Sequence, residues 1–277
     1  MRLANVDGRA HLAVNGRLVD VERASEGRLP SDPMALIGRL GELDGLAEEG
    51  DGVPVDGARL GPPLPRPSKI LACALNYRGH AEEAGLTLPD APVLFAKLPS
   101  ALAGPADDLV IPSGRDKVDW EAELVVAIAR GGRNIPVAEA WSHVAGLMCG
   151  QDVSDRGEQF RSVRQFTLAK SRDSYAPIGP FLVTPDELPN PDDIPVRCLV
   201  DGEEVQSSRT SDLIFPVAEL VAFLSSWCTL EPGDLIFTGT PGGVGDSREP
   251  PRYLRPGNVV ETEIEGVGSM RNACVEG

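Results

Sequence analysis

Residues 10 to 21 alternate between apolar and polar positions and break at Asn15-Gly16. That dipeptide accepts the positive φ angles of a tight hairpin turn, so the chain is expected to open with two antiparallel strands. Asp32-Pro33 then offers a cap and a first turn for a short helix carrying Leu36, Ile37, Leu40 and Leu43. From Glu48 to Pro67 the pattern dissolves into Gly and Pro, and Gly61-Pro62-Pro63-Leu64-Pro65-Arg66-Pro67 is too stiff and donor-poor for regular structure. A domain boundary is placed there, with a small N-terminal α+β domain over residues 1–66 and a larger one over 67–277. In the larger part, strands are predicted at Ser68 to Cys73, Asp234 to Thr238 and Val259 to Ile264, and a hairpin over Ile194 to Val205 turns at Asp201-Gly202. Pro136 opens a helix through Trp141 and His143, and Val217, Leu220, Val221 and Leu224 have the i, i+3, i+4, i+7 spacing of a helix packed on a sheet. There is no strand-helix alternation of the doubly wound kind and no internal repeat. The fold class is therefore mixed and β-dominated, with covering helices.

One alternating segment carries charge where apolar residues belong. In Val118-Asp119-Trp120-Glu121-Ala122-Glu123-Leu124-Val125-Val126, Glu121, Glu123, Val125 and Ala127 share one strand face, and Trp120, Ala122, Leu124, Val126 and Ile128 the other. A strand this apolar is at least half buried, and two carboxylates about 7 Å apart in low dielectric repel unless water or a cation relieves them. The run Val259 to Glu265 has the same acidic spacing without chemical surroundings, so a solvated face and a cation site both fit the spacing.

Composition narrows the partners. With 277 residues, 42% of them hydrophobic, the chain has ample core. A net charge of −16, from 42 acidic and 26 basic residues, disfavours nucleic acid and anionic membranes. The partner is expected to be a small molecule, and an anionic one needs a local positive centre. Five scattered cysteines form no C-x-x-C pair and read as reduced thiols, while no apolar leader or eighteen-residue apolar run is present, so a cytoplasmic protein is expected.

Several further groups carry potential chemistry. If His80 lies on a short helix, Glu83 shares its face three residues on and can fix the imidazole as a general base; a surface histidine with acidic neighbours is the plainer alternative. Asp152 ends an apolar run, either as a cap or as a third carboxylate. Three carboxylates without Cys or His make an oxygen site suited to Mg²⁺ or Mn²⁺. Arg156 either receives a substrate carboxylate or pairs with Glu158, and Lys170 either faces the site or solvent. Thr238-Gly239-Thr240-Pro241-Gly242-Gly243-Val244-Gly245 offers backbone amides and a hydroxyl to an anion, or is a plain glycine turn.

Taken in order, these segments resemble the fumarylacetoacetate hydrolase family over residues 68 to 272. The carrying motifs are Asn76-Tyr77-Arg78-Gly79-His80-Ala81-Glu82-Glu83, Phe95-Ala96-Lys97, Asp119-Trp120-Glu121-Ala122-Glu123-Leu124, Gln151-Asp152-Val153-Ser154-Asp155-Arg156, Lys170-Ser171-Arg172-Asp173 and Leu230 to Gly245. The resemblance implies a mixed β-sandwich roll, usually a homodimer, with Mg²⁺ or Mn²⁺ held by Glu121, Glu123 and Asp152. It implies 2-oxo acid substrates, with His80, Glu83 and Lys170 catalytic and Tyr77, Arg156, Gly239 and Thr240 at the substrate. The expected activity is hydrolysis of a carbon-carbon bond in an acylpyruvate-like or diketo acid, with decarboxylation, hydration or tautomerisation of a 2-oxo dicarboxylic acid as the alternative. Gln151, Asp155, Gly157 and Arg172 depart from the usual pattern, and an altered substrate tail is expected from them.

Overall fold

A computed structural model describes residues 1–46, 52–83, 85–161 and 163–277. Residues 48–51 of the expected irregular stretch lie outside the described residues.

Among the described residues, twelve strands form one mixed sheet. Its central strand, Ala122–Ile128, pairs antiparallel with Val144–Gln151 on one side and with Leu235–Phe237 on the other. Leu235–Phe237 continues in parallel to Ile70–Ala74, and that strand to the edge strand Val93–Lys97. Beyond Val144–Gln151 comes Ala176–Val183, then Arg2–Val6, Arg9–Val14 and Arg17–Asp20. The opening segment is thus a three-strand meander rather than two strands: a second tight turn at Asp7-Gly8, with φ of 50° and 81°, precedes the expected one at Asn15-Gly16. A second sheet of five strands, centred on Pro195–Val200, Val259–Ile264 and Gly268–Glu276, covers one face of the first.

The central strand explains the layering. All seven of its residues are buried. Trp120, Ala122, Leu124, Val126 and Ile128 belong to a core shared with the five-stranded sheet and with the helix Val217–Trp227, whose Val217, Val221 and Leu224 point into it. Val125 and Ala127 belong to a second core on the opposite face, where Leu3, Leu36, Leu43 and Leu64 pack with Met148, Ile178 and Phe237. The period of two therefore sorts side chains between two hydrophobic layers, not between core and water. That second core takes in Leu64 of the Gly/Pro-rich stretch together with residues before and after it, so packing continues past the expected boundary.

Helices are short. Asp32 caps Pro33–Leu36 by accepting the Met34 N–H, but the helix stops there, and Leu40 and Leu43 lie on a separate 3-10 turn. The segment expected as a helix after Pro136 is also 3-10, over Val137–His143. No described helix is long and apolar enough to cross a membrane.

Candidate active site

The site follows from register. Leu124 pairs with Cys149, Glu123 with Gly150 and Ala122 with Gln151, and the Asp152 N–H donates to the Glu121 carbonyl at 2.8 Å. Asp152 therefore stands opposite Glu121, on its face, and Glu123 follows two residues along. Gly150 is required by this packing, since a Cβ there would lie 2.3 Å from Val125 Cγ2 and 2.9 Å from the Phe237 ring. The three carboxylates are buried, and one oxygen from each lies within 4.8 Å of the others.

Three cations surround them. Lys170 Nζ donates to Glu121 and Asp152, both at 2.6 Å, and Lys97 Nζ donates to Asp152 at 2.5 Å and to the Lys170 carbonyl. Arg156 lies 2.7 Å from Glu121 and 2.8 Å from the buried Asp119, so its partners are these rather than Glu158. Burial pushes the Glu121 carboxyl up, but Lys170 and Arg156 outweigh it and hold the group below the usual carboxylate range. Glu123 has no ion-paired partner: burial, then Asp152 and Glu121, push it well above that range, against the charge of Lys170 and one N–H from Gly239 at 2.7 Å. Burial lowers both lysines; in Lys170 the two carboxylates reverse this, while Lys97, with one carboxylate and repelled by Lys170, stays below its ordinary value.

A cavity of about 210 Å³ opens onto this cluster, with His80, Lys170, Arg156 and Thr240 in its wall. His80 lies on the helix Arg78–Glu83 with Nδ1 3.6 Å from Glu83, which leaves Nε2 as the nitrogen available to the cavity. Glu83 in turn accepts the Gly243 N–H at 3.0 Å. Burial raises its pKa, and His80 and Gly243 bring it below the ordinary value.

The glycine loop after Leu235–Phe237 holds anions, but they are the chain's own. The Gly239 amide serves Glu123, the Gly243 amide Glu83, and the Gly245 and Asp246 amides Asp119. Thr240 Oγ1 donates to the Ala122 carbonyl and accepts from Gln206. Gly239 thus spends its amide on Glu123, and neither it nor Tyr77, 1% exposed and with its hydroxyl unbonded, is among the residues that line the cavity.

The departures at Gln151, Asp155, Gly157 and Arg172 are not among the residues that line the cavity. Gln151 shares the face of Ala122, so it points into the other layer, where it donates to Thr262 and accepts the Glu121 N–H. Asp155 caps the helix Arg156–Gln159 and lies 3.7 Å from Arg172. Lys97 and Asp119 are the buried charges at the site whose roles sequence reasoning missed; Lys97 sits inside a quoted motif, and its strand position places it on the face of Phe95.

A family model described as fumarylacetoacetate hydrolase, C-terminal, matches residues 69–275. The chain belongs to this family. It is 41% identical over 214 residues to oxaloacetate tautomerase FAHD2A, mitochondrial, from Homo sapiens, covering 77% of this chain and 68% of that one. A solved structure from Mycobacterium smegmatis is 48% identical, with a TM-score of 0.91, 100% of this chain and 99% of that chain covered. Maleylpyruvate hydrolase from Sphingobium sp. SYK-6, solved with manganese(II) and pyruvate, is 29% identical with a TM-score of 0.83 and both chains fully covered. The fold is that of the family, and the family is enzymatic, with tautomerase and hydrolase activities among these relatives.

Proposed function

We propose that this protein is a divalent-cation-dependent enzyme that transfers a proton at the carbon beside the keto group of a 2-oxo acid, interconverting its enol and keto forms. The observation that carries this is the convergence of three buried carboxylates and a carboxylate-backed imidazole on one cavity.

The donor set fits Mg²⁺ or Mn²⁺. All three ligands are oxygens, and once Glu123 gives up its proton the four carboxylates of Asp119, Glu121, Glu123 and Asp152 exceed the three cations Lys97, Arg156 and Lys170 by one charge. Bound by Glu121, Glu123 and Asp152, such a cation supplies Lewis acidity that lowers the cost of negative charge on the substrate's keto oxygen. Arg156 and Lys170 keep Glu121 ionised and oriented, and Lys97 orients Asp152 by donating to it. Lys170 also holds its ammonium at the cavity floor, where it favours an anion. His80 Nε2 takes the proton from carbon and delivers it to the enolate oxygen in the enol direction, and carries it from that oxygen back to carbon in the keto direction, with Glu83 steadying the imidazolium in between.

The human relative, named as an oxaloacetate tautomerase, favours tautomerisation. Hydrolysis of a carbon-carbon bond is the second reading, supported by the Sphingobium relative and by the same dyad acting on water. Both are tested by following the enol absorbance of oxaloacetate, and pyruvate release from acetylpyruvate, with Mn²⁺ and with excess EDTA. Acceleration of enol decay that EDTA abolishes is expected; equal rates in both media would sink the reading. His80→Ala should slow turnover by about two to four orders of magnitude.

A further inference from the structure

We propose that Arg164 is the specificity-determining residue for the far end of the substrate, taking a second carboxylate so that the site prefers 2-oxo acids with two negative charges. This rests on the reading of the cavity as a 2-oxo acid site.

Among the described residues, every cation in the cavity wall but one has an acidic neighbour. Glu121, Lys170 and Arg156 are ion-paired at the floor, His80 faces Glu83, and the Asp246 carboxylate accepts from the Tyr253 hydroxyl at 2.6 Å. Arg164 also lines the cavity, yet has no acidic partner among the described residues. Its neighbours behave otherwise: Arg161 lies 3.7 Å and Arg115 3.0 Å from Glu158. Arg164 is held instead by an aromatic face, its guanidinium 5.9 Å from the Phe160 ring. An arginine stacked in this way keeps its planar donor fork free and loses less freedom when it takes a carboxylate.

The rest of the outer wall offers apolar surface, from Leu86, Val93, Phe160 and Phe166. About 210 Å³ holds roughly seven waters at about 30 Å³ each, enough for a short-chain acid and too little for a nucleotide. A molecule that uses the whole cavity thus has one charged end at the buried cluster, a short apolar tether, and an anionic end at the exposed guanidinium. Against a net charge of −16, the same cation also draws a dianion toward the mouth, an effect that added salt screens.

The test is calorimetric binding of 2-oxoglutarate and 2-oxopentanoate, equal in chain length and differing in the far carboxylate, to the full-length Mn²⁺-loaded protein and to its Arg164→Met and Arg164→Lys variants. Methionine keeps an apolar stem against Phe160 and removes the charge. The wild type should prefer the dianion, Arg164→Met should reduce the preference about tenfold, or about 1.4 kcal/mol, and Arg164→Lys should restore part of it. Equal affinities in the wild type, or an undiminished preference in Arg164→Met, would overturn the role of Arg164. A preference that depends on Arg164 without turnover of any 2-oxo acid would overturn the proposed reaction alone, and binding of neither acid would overturn both.

Discussion

Glu123 is the carboxylate left with least help. Lys170 and Arg156 serve Glu121, Lys97 and Lys170 serve Asp152, and Glu123 receives one backbone N–H. Raised well above its ordinary value of 4.5, it keeps in the cation-free fold a proton that the unfolded chain has lost. Its contribution to stability is therefore complete below that ordinary value and is lost as pH rises through the folded-state value. A divalent cation replaces the proton, so cation affinity should rise with pH. Glu123→Gln stays neutral throughout: its cation-free melting temperature should fall less steeply above the carboxylate range, and its gain on adding Mn²⁺ should shrink. Thermal melts against pH with and without Mn²⁺ decide this, and an undiminished Mn²⁺ gain would remove Glu123 from the metal site. Glu121, Glu123 and His80 with Glu83 were legible in the sequence because residue type and local spacing bring them together. Lys97 was not: Val93–Lys97 places it on a face, but only the folded sheet puts Asp152 and the Lys170 carbonyl against that face.

At the scale of elements, the hairpin turns were readable from Asn15-Gly16 and Asp201-Gly202, whose φ angles are all positive. The pairing of Ala122–Ile128 with Val144–Gln151 was not, because the fifteen residues between them, including a 3-10 segment, leave register to tertiary packing. That register decides that Asp152 joins the glutamates and Gln151 does not. The glycine loop shows the same dependence: its sequence announces free amides, and only the fold shows that they are spent. Gly239 is held at φ +104°, where a Cβ would lie 2.7 Å from Asn76 Cβ and 3.1 Å from the Cys73 carbonyl oxygen. Asn76 cannot retreat, since its side chain bonds to Phe215 and Thr238. Gly239→Ala should cost about 2–4 kcal/mol in stability and weaken Mn²⁺ binding by displacing the amide that holds Glu123. Urea denaturation and Mn²⁺ titration measure the two effects; a loss under about 0.5 kcal/mol would show that the loop yields.

Over the whole molecule, a change in composition at residues 61–67 marks where the family model begins, at residue 69, but not an end of packing. Arg2–Val6 pairs with Ala176–Val183, and Leu3, Leu12, Leu36, Leu43 and Leu64 are buried in the core that also holds Val125, Met148, Ile178 and Phe237. Composition reports on local chain stiffness, whereas a shared core is a long-range property, so the change before Pro67 marks a stiff segment and not an end of the core. Burying five leucines at about 1.5–3 kcal/mol each is worth on the order of 10 kcal/mol, comparable with the 5–15 kcal/mol that separates most domains from their unfolded chains. Removing residues 1–66 would withdraw that burial and open the edge of Ala176–Val183 to other strands. The fragment 67–277 should therefore aggregate or melt without cooperativity when produced alone, despite retaining every proposed catalytic and metal-binding residue. Size-exclusion chromatography and thermal unfolding of the fragment check this. A monodisperse fragment with a sharp transition would mean that Val125, Met148 and Phe237 find other cover, and that the strands before residue 62 serve the cavity only from a distance.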